Sequence, residues 1–329
     1  MLSKALLAVL AALHIAVLFA GFFAPYDSHQ QYREFSYAPP TPVHWIDSGG
    51  RLHLRPFVYR LVPKPEFAGY EEDRTRLFPL CFFCRTSGGD SLHLFEVSGP
   101  AHLFLAGTDA YGRDVLSRLL FGGRISLASG LLGAFIAVAL GTAIGAIAGY
   151  YGKWLDESAM ALAEIFLSVP WLYLLLVVRA LLPPHIESGS IFVLLVAVLG
   201  VVGWARPARL VRGLVLSLKR RVYVTAARGF GASGFYLLRR HILPGAGPVI
   251  ATQLAWYVPQ FMLAEVTLSF FGLGVSEPAP SWGNMLAALQ RAYVLQSCWW
   301  LFAPAIVIVL VFAGYRQIFA RYAPGAPEL

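Results

Sequence analysis

Two of the three cysteines in this 329-residue sequence lie within residues 25–106, together with five histidines, and these are residue types that can bind a metal ion. Cys81 and Cys84 form a C-x-x-C motif, yet no second C-x-x-C or H-x-x-x-H motif follows to complete a tetrahedral zinc site. In an oxidising compartment the same two cysteines could form a disulfide bond. The histidines of this region have no spacing typical of metal ligands, so we predict no metal site: His29, His44, His53, His93 and His102.

The sequence also lacks the motifs of common hydrolytic sites. A phosphate-binding P-loop needs G-x-x-x-x-G-K-[ST], because its backbone amides and a hydroxyl hold the phosphates and Mg²⁺. The nearest match, Gly149 to Trp154, has the wrong spacing and no hydroxyl after Lys153. H-E-x-x-H and G-x-S-x-G are absent as well. We therefore predict that the chain is not an enzyme and that any coupled ATP hydrolysis takes place on another subunit.

The composition indicates a membrane protein. The chain is 57% hydrophobic and 13% charged, whereas about 25% of the residues of a soluble domain are charged. Too few polar side chains remain to cover a globular surface of this size, so lipid must supply part of the solvent. The net charge of +8 could indicate nucleic acid, but the placement of the cations favours a membrane loop instead.

Six apolar stretches pass the length test for a membrane span, which takes about 20 residues. The first, Ala5 to Ala24, is longer than the apolar core of a signal peptide, which has about 7–15 residues. We therefore predict a retained span over residues 1–24, with cleavage as the alternative. Frequent glycines in the second stretch would let helices pack closely in lipid. The other stretches run over Ile125–Tyr150, Ala159–Leu182, Ser190–Ala205, Gly245–Val275 and Trp299–Phe319.

Nine cations and no acid lie between Arg206 and Pro244. Because short loops rich in Lys and Arg stay on the cytoplasmic side, we predict that residues 206–244 form a cytoplasmic loop. Counting spans outward from this loop places both termini in the cytoplasm. Residues 25–106 then form an extracytoplasmic insertion, in which the alternating runs Arg51–Leu54 and Leu92–Phe95 predict strands.

The cytoplasmic loop has the pattern of two short helices joined at a glycine. We predict a helix over Val222–Phe230, a turn at Gly231 and a second helix that ends near Pro244, because glycine reaches positive φ and proline interrupts a helix. Ala226 and Ala227 leave one face without bulk, which suits docking into a groove of a partner. The alternative is a basic helix pair attracted to anionic lipid.

This loop resembles the "EAA" loop of binding-protein-dependent ABC importer permeases. The pattern of that loop runs Glu-Ala-Ala, three residues, Gly, then a fixed gap to Ile-Leu-Pro. The departure is Thr225, which stands where the pattern usually has Glu, so this chain has no carboxylate there to contact the ATPase. The matching residues are Ala226, Ala227, Gly231, Ile242, Leu243 and Pro244.

Three further segments resemble the peptide/nickel branch of that family, the dipeptide and oligopeptide permease C subunits. Leu263–Gly274 is similar to the fifth span of this branch, and Pro280–Met285 is similar to the loop that follows. The resemblance covers about residues 107–321. The segment that precedes the second span contributes Gly107, Thr108, Asp109, Gly112, Arg113 and Asp114.

The resemblance implies an all-α polytopic fold of about six transmembrane helices with type I ABC importer permease architecture over residues 107–323. It implies that this chain forms half of a pore with a second homologous permease in a bacterial inner membrane. Two ATPase subunits would energise the pore, and an extracytoplasmic substrate-binding protein would deliver the solute. ATP and Mg²⁺ would bind to the ATPase subunits, and no cofactor would bind to this chain. The solute would be a peptide, nickel chelate, opine or oligosaccharide.

Charged residues inside the predicted spans are functional candidates because a charge in lipid is costly. Glu265 lies mid-span and is expected either to line the pathway or to brace a helix contact. Glu164 and Arg179 lie nearer to span ends, where bracing and snorkelling are favoured over substrate contact. A local network of ion pairs and a turn at the membrane interface is predicted from Asp109, Arg113 and Asp114.

A secondary transporter or channel that works without ATP is the alternative from another functional class. It predicts internal repeats with broken helices at matching positions, which the sequence does not show. It also leaves the acid-free loop at residues 206–244 unexplained.

Overall fold

The computed structural model of the protein describes residues 2–64, 69–85, 92–97, 99–181, 183 and 187–322. The chain divides into two compact units. The first unit contains residues 1–10, 126–267 and 310–329, and the second contains residues 11–125 and 268–309. The α-helices of the described residues are α1 Leu2–Leu18, α2 Ala20–Phe23, α3 Val115–Tyr151, α4 Lys153–Ser168, α5 Trp171–Ala180, α6 Ser188–Gly203, α7 Ala205–Leu218, α8 Val222–Gly229, α9 Gly234–Leu237, α10 Gly247–Phe270, α11 Trp282–Ala287, α12 Ala292–Ser297 and α13 Ala303–Tyr322.

Three helical stretches of the described residues are long and apolar enough to cross a membrane, and a fourth arises if α4 and α5 form one broken span. The protein is thus a helical membrane protein, as predicted, and among the described residues length and composition alone identify three or four of the six predicted spans. Helix α1 has only 17 residues. Helix α10 has 24 residues but is less apolar, because it carries residues such as Gln253, Gln260 and Glu265. The three stretches are Val115–Tyr151, Ser188–Leu218 and Trp299–Tyr322.

The predicted span Ala159–Leu182, whose last residue lies outside the described part of the chain, is broken rather than continuous. Helix α4 ends at Ser168, and the following helix is bent away from it by 81°. Pro170 explains the break, because proline has no N–H to donate and disfavours a helical conformation of the residue before it. That residue, Val169, is accordingly extended, with a ψ of 122°.

Glycines of α3 allow close packing in the first unit, as the sequence predicted. A Cβ atom at Gly141 would lie 2.6 Å from the carbonyl oxygen of Trp204 and 2.6 Å from Pro207. One at Gly145 would overlap the carbonyl oxygen of Ala208. The backbones of α3 and α7 therefore touch, which is the contact that helices in lipid use when no hydrophobic force drives them together.

The second unit contains an antiparallel four-stranded sheet in the order β1-β2-β3-β4. The two predicted strands are confirmed within β2 and β4, and the all-α prediction therefore needs correction for the inserted region. Apolar side chains of β2, β3 and β4 pack together with Ala101 and Leu103 in a small core. The strands are β1 His44–Ile46, β2 Leu52–Pro63, β3 Tyr70–Arg85 and β4 Leu92–Val97.

Cys81 and Cys84 are joined by a disulfide bond within β3, with their Cα atoms 5.9 Å apart. This settles the question that the C-x-x-C motif left open. No cluster of His, Cys, Asp and Glu that could hold a metal ion occurs among the described residues. The domain boundaries expected at residues 24, 106 and 323 stay predictions, and residue 323 lies outside the described ranges.

The α3–α7 contact gives a first testable prediction. We expect Gly145→Leu to destabilise the protein by about 1–3 kcal/mol, because the new side chain has no room beside the backbone of α7. Gly213→Leu on α7 is the matched control, since a Cβ atom there meets nothing within 4 Å. Thermal unfolding of both variants in detergent measures the effect. Equal melting temperatures for the two variants would contradict the close contact.

Candidate functional site

The basic loop is shorter than predicted. Residues 205–218 form α7, which continues the candidate span that begins at Ser188. We call the segment between α7 and α10, residues 219–246, the docking loop. Its first helix, α8, ends at Gly229, one residue before the predicted end. Gly231 has a φ of +84°, so the predicted glycine turn is confirmed.

The second half of the docking loop differs from the prediction. Helix α9 ends at Leu237 and passes into a π-helical turn over Leu238–Ile242 and a 3₁₀ turn over Leu243–Ala246. Pro244 lies in the first turn of the 3₁₀ segment, where the missing N–H does no harm. The proline therefore changes the type of helix instead of ending the second helix before α10.

A hydrophobic core fixes the docking loop to α3 and α7. Ile242 is fully buried and Val224 nearly so, and both belong to one cluster with Tyr150. Ala227 and Leu243 pack against the same cluster. Three of the predicted coupling residues thus hold the loop in place instead of lying on its surface. The remaining members of the cluster are Ala146, Val211, Val215, Leu237 and Leu238.

Tyr150, at the end of α3, is the centre of this attachment. A Cβ atom at Gly234 would lie 2.9 Å from its ring, so the start of α9 packs directly on the tyrosine. The cations of Lys219 and Arg228 lie 6.0 and 5.9 Å from the ring centroid, within the range of cation–π attraction. Lys219 also donates to the carbonyl oxygens of Gly149 and Tyr150, at 3.2 and 3.0 Å. A cation at the end of a helix stabilises its unpaired carbonyl groups.

The exposed surface of the docking loop combines apolar and basic side chains. Phe230, directly before the turn, is 92% exposed, and Val222 is 85% exposed. Sequence reasoning missed these exposed apolar residues, although the position of Phe230 beside Gly231 on a basic loop is a usable signal. Thr225 and Ala226 lie on the same exposed surface, and the Thr225 hydroxyl donates to the carbonyl oxygen of Arg221 at 3.3 Å. The exposed cations are Arg220, Arg221, Arg228, Arg239 and Arg240.

The charged residues of the predicted spans have different environments. Glu164 on α4 pairs with Arg209 on α7 at 2.8 Å and is largely exposed, which matches a bracing contact between helices. Glu265 on α10 is completely buried, and its expected role in the pathway or in a helix contact stays a prediction. The Arg179 side chain donates to the carbonyl oxygen of Pro183 at 3.3 Å.

A cavity of about 300 Å³ adjoins the break between α4 and α5. Its wall includes Val169 and Pro170 at the break itself. Arg206 and Gln260 contribute polar groups to the same wall. The interrupted helix backbone therefore has polar side chains beside it.

The segment before α3 folds into a tight turn in the second unit. The Asp109 carboxylate accepts hydrogen bonds from the N–H groups of Tyr111 and Arg113, at 2.8 and 3.0 Å. Gly112 has a φ of +71°, and a Cβ atom there would overlap the backbone of Tyr32. Thr108 joins the turn to the preceding chain, since its hydroxyl oxygen accepts from the N–H of Ala38 at 2.7 Å. The predicted turn and the Asp109–Arg113 ion pair are present, whereas Asp114 bonds to Ser117 instead of an arginine. The position of this network at a membrane interface stays a prediction.

Two buried arginines share a carboxylate that sequence reasoning missed. Arg113 binds Asp109 at 2.7 Å and Glu277 at 2.6 Å. Arg118, also buried, binds Glu277 at 2.9 Å. These groups line a cavity of about 210 Å³ together with Arg291. Glu277 was detectable only as an acid shortly before the Pro280–Met285 segment.

Asp114 starts α3 from a fully buried position. Its carboxylate accepts hydrogen bonds from the N–H and the hydroxyl of Ser117, at 2.7 and 2.6 Å. Burial raises the pKa of the Asp114 carboxyl from 3.8 to about 7 and outweighs the Ser117 hydrogen bonds, which lower it. The folded protein therefore binds a proton here at pH values where the unfolded chain has lost it.

This pKa predicts a pH dependence of stability. Because the folded state binds more protons than the unfolded state, the contribution of Asp114 is fully present below pH 3.8 and is lost as the pH rises to about 7. We expect Asp114→Asn, which cannot titrate, to remove this decline. Melting temperatures of both proteins from pH 4 to pH 7.5 measure it. Parallel curves would refute the raised pKa.

Comparison with known sequences and structures gives relatives over the helical part of the chain. Residues 141–323 match the family model described as binding-protein-dependent transport system inner membrane component. The dipeptide transport system permease protein DppC of Bacillus subtilis is 38% identical over 213 residues, and the oligopeptide transport system permease protein OppC of Haemophilus influenzae is 40% identical over 217 residues. The glutathione transport system permease protein GsiD of Pectobacterium atrosepticum is 34% identical over 220 residues.

These alignments cover 64%, 66% and 67% of this chain, and 64%, 67% and 71% of the three relatives, in the same order. A solved chain of the MetNI methionine ABC transporter is 17% identical, with a TM-score of 0.45, and covers 62% of this chain and 93% of its own. The family model alone spans more than half of the 329 residues. The chain belongs to the family of inner membrane components of binding-protein-dependent transport systems.

Proposed function

We propose that this chain is a permease subunit of an ABC importer, forming half of the translocation pore with a second homologous permease. The observation that carries the proposal is the docking loop, whose helix–glycine–helix frame is fixed to α3 and α7 by a buried core. Its exposed surface carries apolar and basic side chains outside that core. Such a surface suits a separate ATPase subunit, because an exposed apolar patch rimmed by polar residues is typical of a protein interface.

The energy of ATP hydrolysis would enter the permease through this loop. ATP and Mg²⁺ would bind to two ATPase subunits, and this chain would bind neither. Movement of an ATPase would displace α8 and α9. Because Tyr150 and Ile242 are packed in one core with α3 and α7, the loop cannot move without moving those helices. The coupling is therefore mechanical and needs no cofactor on this chain.

Thr225 sets the chemistry of the contact with the ATPase. The usual carboxylate of the EAA pattern is replaced by a hydroxyl that bonds to its own helix. The surrounding surface carries arginines. The partner groove would therefore bind the loop through apolar pockets around Phe230 and acidic groups facing the arginines. A permease with the usual Glu would present a different charge to the same groove.

The solute is a peptide or a related small molecule. The names of the relatives, a dipeptide, an oligopeptide and a glutathione permease protein, support this class. The family description names a binding protein, so an extracytoplasmic substrate-binding protein would deliver the solute. The docking loop would lie in the cytoplasm, because six cations and no acid occupy residues 219–246. The six predicted spans, four before this loop and two after it, would place both termini there as well.

Copurification tests the proposal. We expect an ATPase encoded beside this chain to copurify with the wild type and to be lost from Gly231→Val, because a β-branched residue at positive φ is strained by about 1–3 kcal/mol. Gly229→Val, two residues away in α8 with open space around its Cβ position, is the matched control. A chain that purifies alone and transports solute with an ion gradient but without ATP would support a secondary transporter instead.

A second prediction concerns mechanical coupling. We expect Tyr150→Leu to reduce solute transport in the reconstituted complex while the ATPase still turns over, because the contact between α3 and α9 is lost. Tyr150→Phe keeps the ring and should preserve coupling. Tyr151→Leu, at the exposed neighbouring residue, is the control. The measurement is the number of solute molecules transported per ATP hydrolysed, and an unchanged ratio in Tyr150→Leu would contradict this role.

A further inference from the structure

Strand β3 changes character along its length. Its first half carries charged residues, Glu71 to Arg76, whereas the eight residues from Leu77 to Cys84 carry no charge. The pairing of β3 with β2 is irregular between Asp73 and Leu77, and Arg85 ends the strand. The charged first half of the strand therefore suits water, and the stretch from Leu77 to Cys84 suits an apolar environment.

The uncharged stretch of β3 exposes two neighbouring phenylalanines. Successive side chains of a regular strand point to opposite faces of the sheet, so two adjacent residues are not normally both on the surface. Here Phe83 has a φ of 54°, which lies outside the range of a regular strand, and the disulfide bond between Cys81 and Cys84 spans the pair, while the pairing of β3 with β4 keeps one register on both sides. Phe82 and Phe83 are 51% and 64% exposed. We call residues 81–84 the disulfide bulge.

The disulfide bulge lies beside the end of the first apolar helix. The ring of Phe83 is 6.0 Å from the ring of Phe22 on α2. On the neighbouring strand β4, the His93 Nδ1 atom lies 2.7 Å from the carbonyl oxygen of Ala24. The helix itself exposes apolar side chains just before this point, with Leu18 68% and Phe19 55% exposed. The exposed apolar surface thus continues from the helix onto the bulge.

We propose that the disulfide bulge is a membrane anchor that inserts Phe82 and Phe83 into the outer leaflet beside the first helix. The partner is the lipid surface. The continuity of the bulge with an apolar helix surface favours lipid over a protein partner. The segregation of charge along β3 supports the same choice, because the charged half would then lie in water. The inference goes beyond transport and rests on the placement of α1 as the first span.

Such an anchor would hold the sheet at two points. The sheet is already attached to the end of α2 through β4, where His93 contacts the carbonyl oxygen of Ala24. Insertion of the bulge would add a second attachment on another strand, and two attachments fix the orientation of a sheet relative to the bilayer, whereas one does not. The disulfide bond restricts the conformations of the bulge, which reduces the entropy that insertion would otherwise remove.

Photocrosslinking in native membranes tests the anchor. The full chain, expressed with its partner subunits, would carry p-benzoylphenylalanine in place of Phe83 or, as the matched control, in place of Thr75. Thr75 is exposed in the charged half of the same strand, eight residues before Phe83. We expect phospholipid adducts at position 83 to exceed those at position 75 by about tenfold, because the control site lies among charged side chains that would face water.

Mass spectrometry of the adducts separates the possible partners. A protein as the main adduct at position 83, or equal lipid adducts at the two positions, would overturn the proposal. Quenching by brominated phosphatidylcholine in proteoliposomes is the second measurement. The signal is the fluorescence that each variant adds to that of the eight native tryptophans. This added fluorescence should be quenched in Phe83→Trp and should not be quenched in Thr75→Trp. Equal quenching of the two variants would also overturn the anchor. Neither measurement depends on ATP or on solute, so a failure of the anchor is distinguishable from a failure of the importer assignment.

Discussion

The backbone contact between α3 and α7 is the constraint on which the first unit depends. Lipid tails are as apolar as the helices, so only close packing and polar contacts hold such helices together. Gly141 and Gly145 let the backbone of α3 approach that of α7. The Asp156–Arg212 ion pair is the polar contact that joins α4 to α7. The docking loop then packs through Tyr150 against the ends of α3 and α7. The position of its exposed surface is therefore fixed by the packing of these two helices.

Local features of this chain could be predicted from its sequence because they follow from single residue types. The turn at Gly231 needs a residue that tolerates positive φ, and α8 and the strands follow from short periodic patterns. Pro170 is an equally local signal for the break, because proline interrupts a helix, although the length of the apolar run predicts one continuous span. Pro244 could not be interpreted from residue type alone. It does not end the helical segment, because it lies in the first turn of a 3₁₀ helix, where a proline is tolerated.

Contacts between distant residues could not be predicted in this way. Glu277 pairs with Arg113 and Arg118, which lie 164 and 159 residues away in the sequence. The spacing of residues along one sequence does not indicate such a distant ion pair. Related sequences in which both positions change together would be needed to predict it. The burial of Ile242 is similar: the motif gave its position, but the tertiary structure decides that it holds the loop rather than faces a partner.

The break between α4 and α5 has a consequence for motion. A continuous helix resists bending because each backbone carbonyl in it is bonded to an N–H four residues on. At Pro170 that ladder is already interrupted, and Arg206 and Gln260 line the cavity beside it. The two halves can change their mutual angle without breaking further backbone bonds, so the segment has the mechanical properties of a hinge. The composition of this stretch is that of a continuous apolar helix, yet the structure contains a flexible joint within it.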